Sequence, residues 1–181
     1  DQVMLRTLLI LAVVTAPSLS LAAGGGSSAP PKTTNTTAFC EEGFIFDDKT
    51  NSCIKAEESS QLTPKEQMDA VRELAYAGRY ADAKIILASM DPRDDMVLTY
   101  KGFVARKTGD LYAANGFYEA ALEANPDNIL TRSYMGQGYV SSGRIEDARA
   151  QLAQIYARGG RETWAAVSLK RALRSGQTYS Y

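Results

Sequence analysis

The chain has 181 residues, a formal net charge of -1 and no histidine, with 20 Lys and Arg residues against 21 Asp and Glu residues. The two signs of charge are interspersed, which excludes a protein that binds nucleic acid through a clustered basic surface. Without histidine, Ser-His-Asp and Cys-His catalysis are also excluded. We therefore predict a non-enzymatic protein of one ordinary domain with extensions, which needs no cofactor and no metal.

The N-terminal extension predicts export. Residues 1–23 have the features of a secretory signal peptide, because Arg6 precedes the short apolar run Thr7–Val14 and small residues follow it. An uncleaved anchor is the alternative, although spanning a bilayer takes ~20 apolar residues. Residues 24–38 are rich in Gly, Ser, Thr and Pro and predict a disordered linker. We expect a periplasmic or secreted protein without a stable membrane span after signal cleavage.

The only two cysteines, Cys40 and Cys53, follow this export signal. An even number of cysteines in an exported chain predicts a disulfide. Strand-forming residues from Phe44 and a turn-rich stretch before Cys53 predict that the bridge closes a small hairpin over residues 39–55. A redox role is not expected, because the two thiols of a redox pair lie much closer in sequence. A zinc site is not expected either, because zinc needs about four ligands and the chain has two cysteines and no histidine.

One short sequence motif occurs three times and predicts a helical repeat. Gly78–Ala83, Gly109–Ala114 and Gly143–Ala148 each combine a turn glycine, a polar residue, a large apolar residue and a later alanine. The second and third copies are separated by a period of about 34 residues, which is typical of paired helices that bury their cores against neighbouring units. The first and second copies lie slightly closer together.

Helix signals place these pairs along the chain. Thr63, Pro64 and Glu66 form a capping box with proline in the first turn, which predicts that the array begins there. Helical periodicity then predicts helices over 64–77, 80–90, 95–107 and 111–124, a third pair up to Gly159 and Gly160, and an amphipathic helix over 161–174. Because a terminal repeat needs a polar outer face, we interpret this last helix as a cap.

The second pair resembles the tetratricopeptide repeat. The residues that carry the resemblance are Leu98, Gly102, Gly109, Leu111, Ala114, Tyr118, Ala121 and Pro126. Lys101 and Ala105 depart from it, since the family has leucine and tyrosine there. The resemblance covers 61–175 and implies an all-α fold: a right-handed α-solenoid of about three helix pairs with a C-terminal capping helix, preceded by the disulfide hairpin. Its units would be 64–94, 95–128 and 129–160, with the cap at 161–175.

The resemblance also implies a concave groove that binds a protein or peptide partner. The positions that would line it are Met68, Arg72, Tyr76, Met96, Thr99, Phe103, Arg106, Lys107, Ser133 and Gln137, with Leu130 and Val140 in the same register. We expect Phe103 and Arg106 to face solvent at its centre, although packing between repeats is the alternative for each position. The expected function is an adaptor of the cell envelope. The alternative is a structural subunit of a larger envelope assembly, such as a secretion or pilus apparatus, with the repeats buried.

Overall fold

The computed structural model describes residues 33–179, so the predicted signal segment and most of the predicted linker lie outside the described residues. Helix dominates the described part, which confirms a mainly helical protein with one small hairpin. The elements in chain order are α1 (Asn35–Phe39), β1 (Phe44–Asp47), β2 (Ser52–Lys55), a 3-10 helix (Ala56–Gln61), α2 (Pro64–Ala77), α3 (Tyr80–Ser89), α4 (Asp95–Lys107), α5 (Leu111–Ala124), α6 (Ile129–Ser141), α7 (Ile145–Ala157) and α8 (Trp164–Ser175).

Local sequence signals set the ends of the paired helices. The Thr63 side chain accepts from the backbone N–H of Glu66 and the Glu66 side chain accepts from that of Thr63, so the predicted capping box starts α2. The glycine that follows the first helix of each pair adopts a positive φ, 82° at Gly78, 94° at Gly109 and 74° at Gly143. A left-handed residue turns the chain back sharply, and glycine adopts that conformation without steric cost.

The helix pairs stack in chain order. Each of α2, α4 and α6 contacts the next first helix along the chain, ending at α8, and α3, α5 and α7 each contact the first helix that follows. Hydroxyl pairs mark two of these junctions: Thr99 and Thr131 lie 2.6 Å apart, and Ser133 and Ser168 lie 3.1 Å apart. One apolar core runs continuously from Ile45 to α8. The handedness of the array stays a prediction of the sequence.

Helices α4 and α5 approach closely because Gly102 lacks a side chain. A Cβ atom at Gly102 would lie 2.5 Å from the ring of Tyr118 and 3.1 Å from the carbonyl oxygen of Ala114. Tyr118 is fully buried and Ala114 is 1% exposed. Gly102 and Ala114, two of the small residues that carry the resemblance, therefore permit this close helix contact.

The predicted disulfide is confirmed. Cys40 and Cys53 are bonded, with their Cα atoms 5.7 Å apart, and β1 pairs with β2 in antiparallel register with Phe46 opposite Cys53. The hairpin also buries Ile45 completely within the core shared with the helices. The bridge thus supports a segment that packs on the array.

The prediction of a disordered linker as far as Ala38 is wrong for its last residues. Helix α1 forms there because the buried carboxylate of Glu73, on α2, accepts hydrogen bonds from the backbone N–H groups and the hydroxyls of Thr34 and Thr37. A carboxylate at a helix N-terminus satisfies donors that have no partner within the helix. These contacts fix the residues before Cys40 to the first helix pair.

Arg79 connects the hairpin to the first helix pair through hydrogen bonds. Its guanidinium donates to the carbonyl oxygens of Thr36, Cys40, Glu41 and Phe44, at 2.7–3.2 Å. It also pairs with a largely buried carboxylate, that of Asp82 on α3, which accepts from the N–H of Gly43. The N-terminal segment and the first helix pair therefore share one polar, solvent-shielded contact.

Candidate functional site

The ten predicted partner contacts lie on α2, α4 and α6, and we call this surface the first-helix face. Half of the ten remain at least partly open to solvent: Met68, Arg72, Tyr76, Met96 and Lys107. The other half are buried: Thr99, Phe103, Arg106, Ser133 and Gln137. The open part of the face is therefore narrower than the sequence predicted.

The expectation that Phe103 and Arg106 face solvent is wrong. Phe103 is fully buried and Arg106 is 6% exposed. The ring of Phe103 lies 4.8 Å from that of Tyr134 on α6, centroid to centroid, and 6.1 Å from that of Tyr100. Aromatic rings at these separations pack favourably edge to face or tilted. The next first helix thus covers the position that the repeat register assigns to a groove.

Three further predicted residues hold helices together. Thr99 bonds to Thr131 across the α4–α6 junction, and the amide of Gln137 donates to Ser133 at 3.3 Å and to Ser168 at 3.4 Å. The oxygen of the same amide accepts from the backbone N–H of Tyr179, at 2.7 Å. For Thr99, Ser133 and Gln137 the structure favours the packing alternative over direct partner contact.

Arg106 is the exceptional residue of the face. Its guanidinium lies 5.4 Å from the centre of the Phe103 ring, and its Nε and Nη2 atoms are buried with no hydrogen-bond partner in the described part of the chain. Its side chain crosses α6 at Gly138, where an added Cβ would lie 3.3 Å from the Cδ of Arg106. A buried cation without a counter-ion is costly, so this guanidinium is a ready donor to an anion.

Two buried tyrosine hydroxyls adjoin this guanidinium. The hydroxyls of Tyr118 and Tyr134 are buried without a hydrogen bond of ordinary geometry to a described residue, and they interact electrostatically with Arg106 and Tyr100, respectively. Burial raises the pKa of Tyr118 to about 12 and raises that of Tyr134 well above its usual value, with the charge of Arg106 opposing both rises. Both phenols therefore stay protonated at neutral pH and can donate. Together with Arg106 they supply hydrogen-bond donors and no negative charge.

Two more cationic side chains, Lys107 and Arg72, lie near Arg106 and the buried tyrosines. Burial, and then the neighbouring charge of Arg106, lowers the pKa of the Lys107 ammonium. Burial raises the pKa of the Tyr100 hydroxyl, and the charge of Arg72 on α2 opposes that rise. Arg72, Tyr100, Tyr134 and Arg106 thus follow one another across α2, α4 and α6.

The sequence analysis did not select Tyr100, Tyr118 or Tyr134 for this role. A signal was present, since Tyr100 and Tyr134 are separated by one repeat period and so occupy equivalent positions on α4 and α6. Within residues 33–179, no group of three His, Cys, Asp or Glu side chains is placed to hold a metal ion. Among the same residues, no helix has the length and apolar character needed to cross a membrane.

Comparison with known proteins gives one distant similarity. Cellulose synthase operon protein C of Pseudomonas fluorescens (strain SBW25) is 42% identical over 54 residues, which are 30% of this chain and 4% of that protein. The chain therefore spans a small fraction of that relative's length. No protein-family model matches the chain, and no solved structure matches it. The helical pairs are compatible with tetratricopeptide repeats.

Proposed function

We propose that this chain is an exported, non-enzymatic adaptor whose stacked helix pairs form a right-handed tetratricopeptide-type array in the cell envelope. The array holds an acidic peptide or helix of a partner protein against the first-helix face. The Cys40–Cys53 bridge fits an exported protein, because disulfides persist in oxidising compartments. The distant similarity to cellulose synthase operon protein C supports a protein-interaction role.

The observation that carries this proposal is the unpaired guanidinium of Arg106. It forms no ion pair with any described residue, and neither does the half-buried Lys107 beside it. Carboxylates bind arginine through strong, charge-assisted hydrogen bonds. On the same face Tyr76 is exposed and Met68 and Met96 are partly exposed, and these side chains supply apolar contact for the rest of a peptide.

The test compares stability with partner capture. We expect Arg106→Met to keep or raise the thermal midpoint, because an apolar side chain of similar length removes an unpaired buried charge. The same change is expected to weaken partner capture by at least ~1 kcal/mol, as loss of an interface hot spot does. The partner would be identified by affinity purification from the envelope fraction, and its peptides would be titrated at two salt concentrations.

The matched control is Glu123→Ala, because Glu123 is exposed on α5 and away from the face. It is expected to change neither capture nor stability by more than about 0.5 kcal/mol. Equal capture by Arg106→Met and the unaltered chain would overturn the proposal. Phe103→Ala is unsuitable as a binding test, because deleting a fully buried aromatic side chain costs about 3–5 kcal/mol of stability.

A structural subunit of a larger envelope assembly is the second candidate. Burial of half of the predicted partner contacts favours it, since a narrow free face suits a permanent contact better than exchange of peptides. Tyr112 on α5, 92% exposed, offers an aromatic contact on another surface. If this chain always co-purifies with other subunits and does not bind free peptide, the structural-subunit function is supported over the adaptor function.

A further inference from the structure

A concavity lies away from the first-helix face, between α3, α4 and α5. It has a volume of about 330 Å³, which falls within the range of small-molecule sites, about 300–1,000 Å³. We call it the α3/α5 groove. Its lining is mainly apolar, and consists of Leu87, Ala88, Ala105, Ala113 and Phe117 together with Lys84, Lys101, Thr108 and Asp110.

The groove exists because the second helix pair carries small and polar residues where the third carries large apolar ones. Ala105 and Lys101 stand one repeat period before Tyr139 and Met135, which occupy the same repeat positions on α6. Tyr139 is 8% exposed and Met135 is 5% exposed, so large apolar side chains are buried at these positions of the third pair. At the equivalent position of the second pair Ala105 has only a methyl group, and it lines the groove.

Two lysines give the groove its charge. Lys84 is exposed on α3 and Lys101 is partly exposed on α4, and neither forms an ion pair with a described residue. The carboxylate of Asp110 accepts from the backbone N–H of Ala113 at 2.9 Å, where it caps α5. The lining therefore combines an apolar floor with two free ammonium groups and a net positive charge.

We propose that the α3/α5 groove binds a small anionic amphiphile. Its ligand would carry an aromatic ring or a medium-length acyl chain, which lies on Leu87, Ala105 and Phe117. One acidic group on the ligand would lie between Lys84 and Lys101. Residues of three helices line a space of about 330 Å³, which suits a single group of this size better than the length of a partner helix. This site is independent of Arg106 and of the adaptor function.

The test uses 4-phenylbutyrate as the probe and 4-phenyl-1-butanol as its uncharged counterpart. Amide chemical shifts of the isotope-labelled chain would be followed during titration. We expect saturable shifts from phenylbutyrate that are centred on Ala88, Ala105 and Ala113. We expect the alcohol to bind at least about threefold more weakly, because exposed charge pairs contribute modestly.

Two variants separate the apolar floor from the charges. Ala105→Tyr places in the second pair the residue that the third pair already has, and is expected to abolish saturable binding without lowering the thermal midpoint. Combined Lys84→Gln and Lys101→Gln exchange is expected to weaken phenylbutyrate binding about three- to tenfold and to leave the alcohol unaffected. Lys170→Gln, at an exposed lysine of α8, is the matched control and is expected to change neither affinity.

Several results would overturn the inference. One is the absence of saturable shifts at a probe concentration of about 10 mM, which reveals even millimolar affinity. A second is equal binding of the acid and the alcohol, and a third is unchanged binding by Ala105→Tyr. If Ala105→Tyr removes capture of a partner protein while phenylbutyrate does not bind, the groove takes a protein side chain instead.

Discussion

Replacing Gly102 by alanine tests the close approach of α4 and α5. The new methyl carbon would lie 2.5 Å and 2.7 Å from two ring carbons of Tyr118 and 3.1 Å from the carbonyl oxygen of Ala114. Ordinary contacts between such atoms begin at about 3.5 Å. The ring must therefore move by about 1 Å or the helices must separate. Tyr118 is fully buried, so its ring has no open space to enter.

Two opposing effects decide the magnitude. Overpacking a well-packed contact costs about 1–3 kcal/mol, whereas alanine is favoured over glycine inside a helix by up to about 1 kcal/mol. We expect Gly102→Ala to lower the free energy of unfolding by about 1–2 kcal/mol. Such a loss corresponds to a fall in the thermal midpoint of roughly 2–4 °C for each kcal/mol in a chain of this size.

Gly116 provides the matched control, because it is also a helical glycine and nothing lies within 4 Å of its added Cβ. Only the helical preference acts there, so Gly116→Ala is expected to stabilise the protein by about 0.5–1 kcal/mol. Urea unfolding followed by circular dichroism measures both variants. If Gly102→Ala were as stable as the unaltered chain or more stable, the close-packing argument would fail.

Three more outcomes are expected. Arg79→Met should lower stability by about 2–4 kcal/mol, because the hydrogen bonds that its charged guanidinium donates to backbone carbonyls are lost. It should also speed amide exchange in residues 36–46. Arg144→Met, at an ion pair in which both side chains are 51% exposed, should cost less than about 1 kcal/mol. Reducing the Cys40–Cys53 bridge should lower the thermal midpoint while leaving the helical circular dichroism signal nearly unchanged, since the helices form the larger core; loss of most helicity would contradict this. Stability should fall above pH 10, because a phenol whose pKa is raised on folding, as that of Tyr118 is to about 12, favours the folded state only while it is protonated; ultraviolet titration should show this tyrosine ionising together with unfolding.

The starts and turns of the helix pairs could be predicted because their causes are local in sequence. Thr63 and Glu66 lie within one helical turn of each other and cap α2 directly, and Gly78 ends it in the left-handed conformation. Helix α1 was not predicted. Thr34 caps it locally by accepting from the N–H of Thr36, but the carboxylate that accepts from Thr37 belongs to Glu73, 36 residues further along the chain. A short polar segment gives no sequence sign of such a distant partner.

The candidate site could also be predicted only in part from the sequence. A helical pattern predicts which residues share a face, but it does not state how closely the next helix lies against that face. Phe103 stands at the expected register position, yet Tyr134 of the following pair covers it. Helix α4 contacts neighbours on several sides, and eight of its residues are buried. The periodicity of a helix buried all round does not distinguish a groove from a junction.

The repeats also explain where specific function is expected in this chain. Equivalent positions in stacked pairs have similar backbone surroundings, so a difference in side chain there changes the surface without changing the scaffold. In the repeat register Arg106 corresponds to Val140, and Ala105 corresponds to Tyr139. Both differences lie on α4, one producing an unpaired cation and the other an open groove. An exchange of Arg106 and Ala105 for Val and Tyr would make α4 resemble α6, and we expect it to retain the fold while losing both proposed activities. Retention of either activity would show that its site lies outside the second pair.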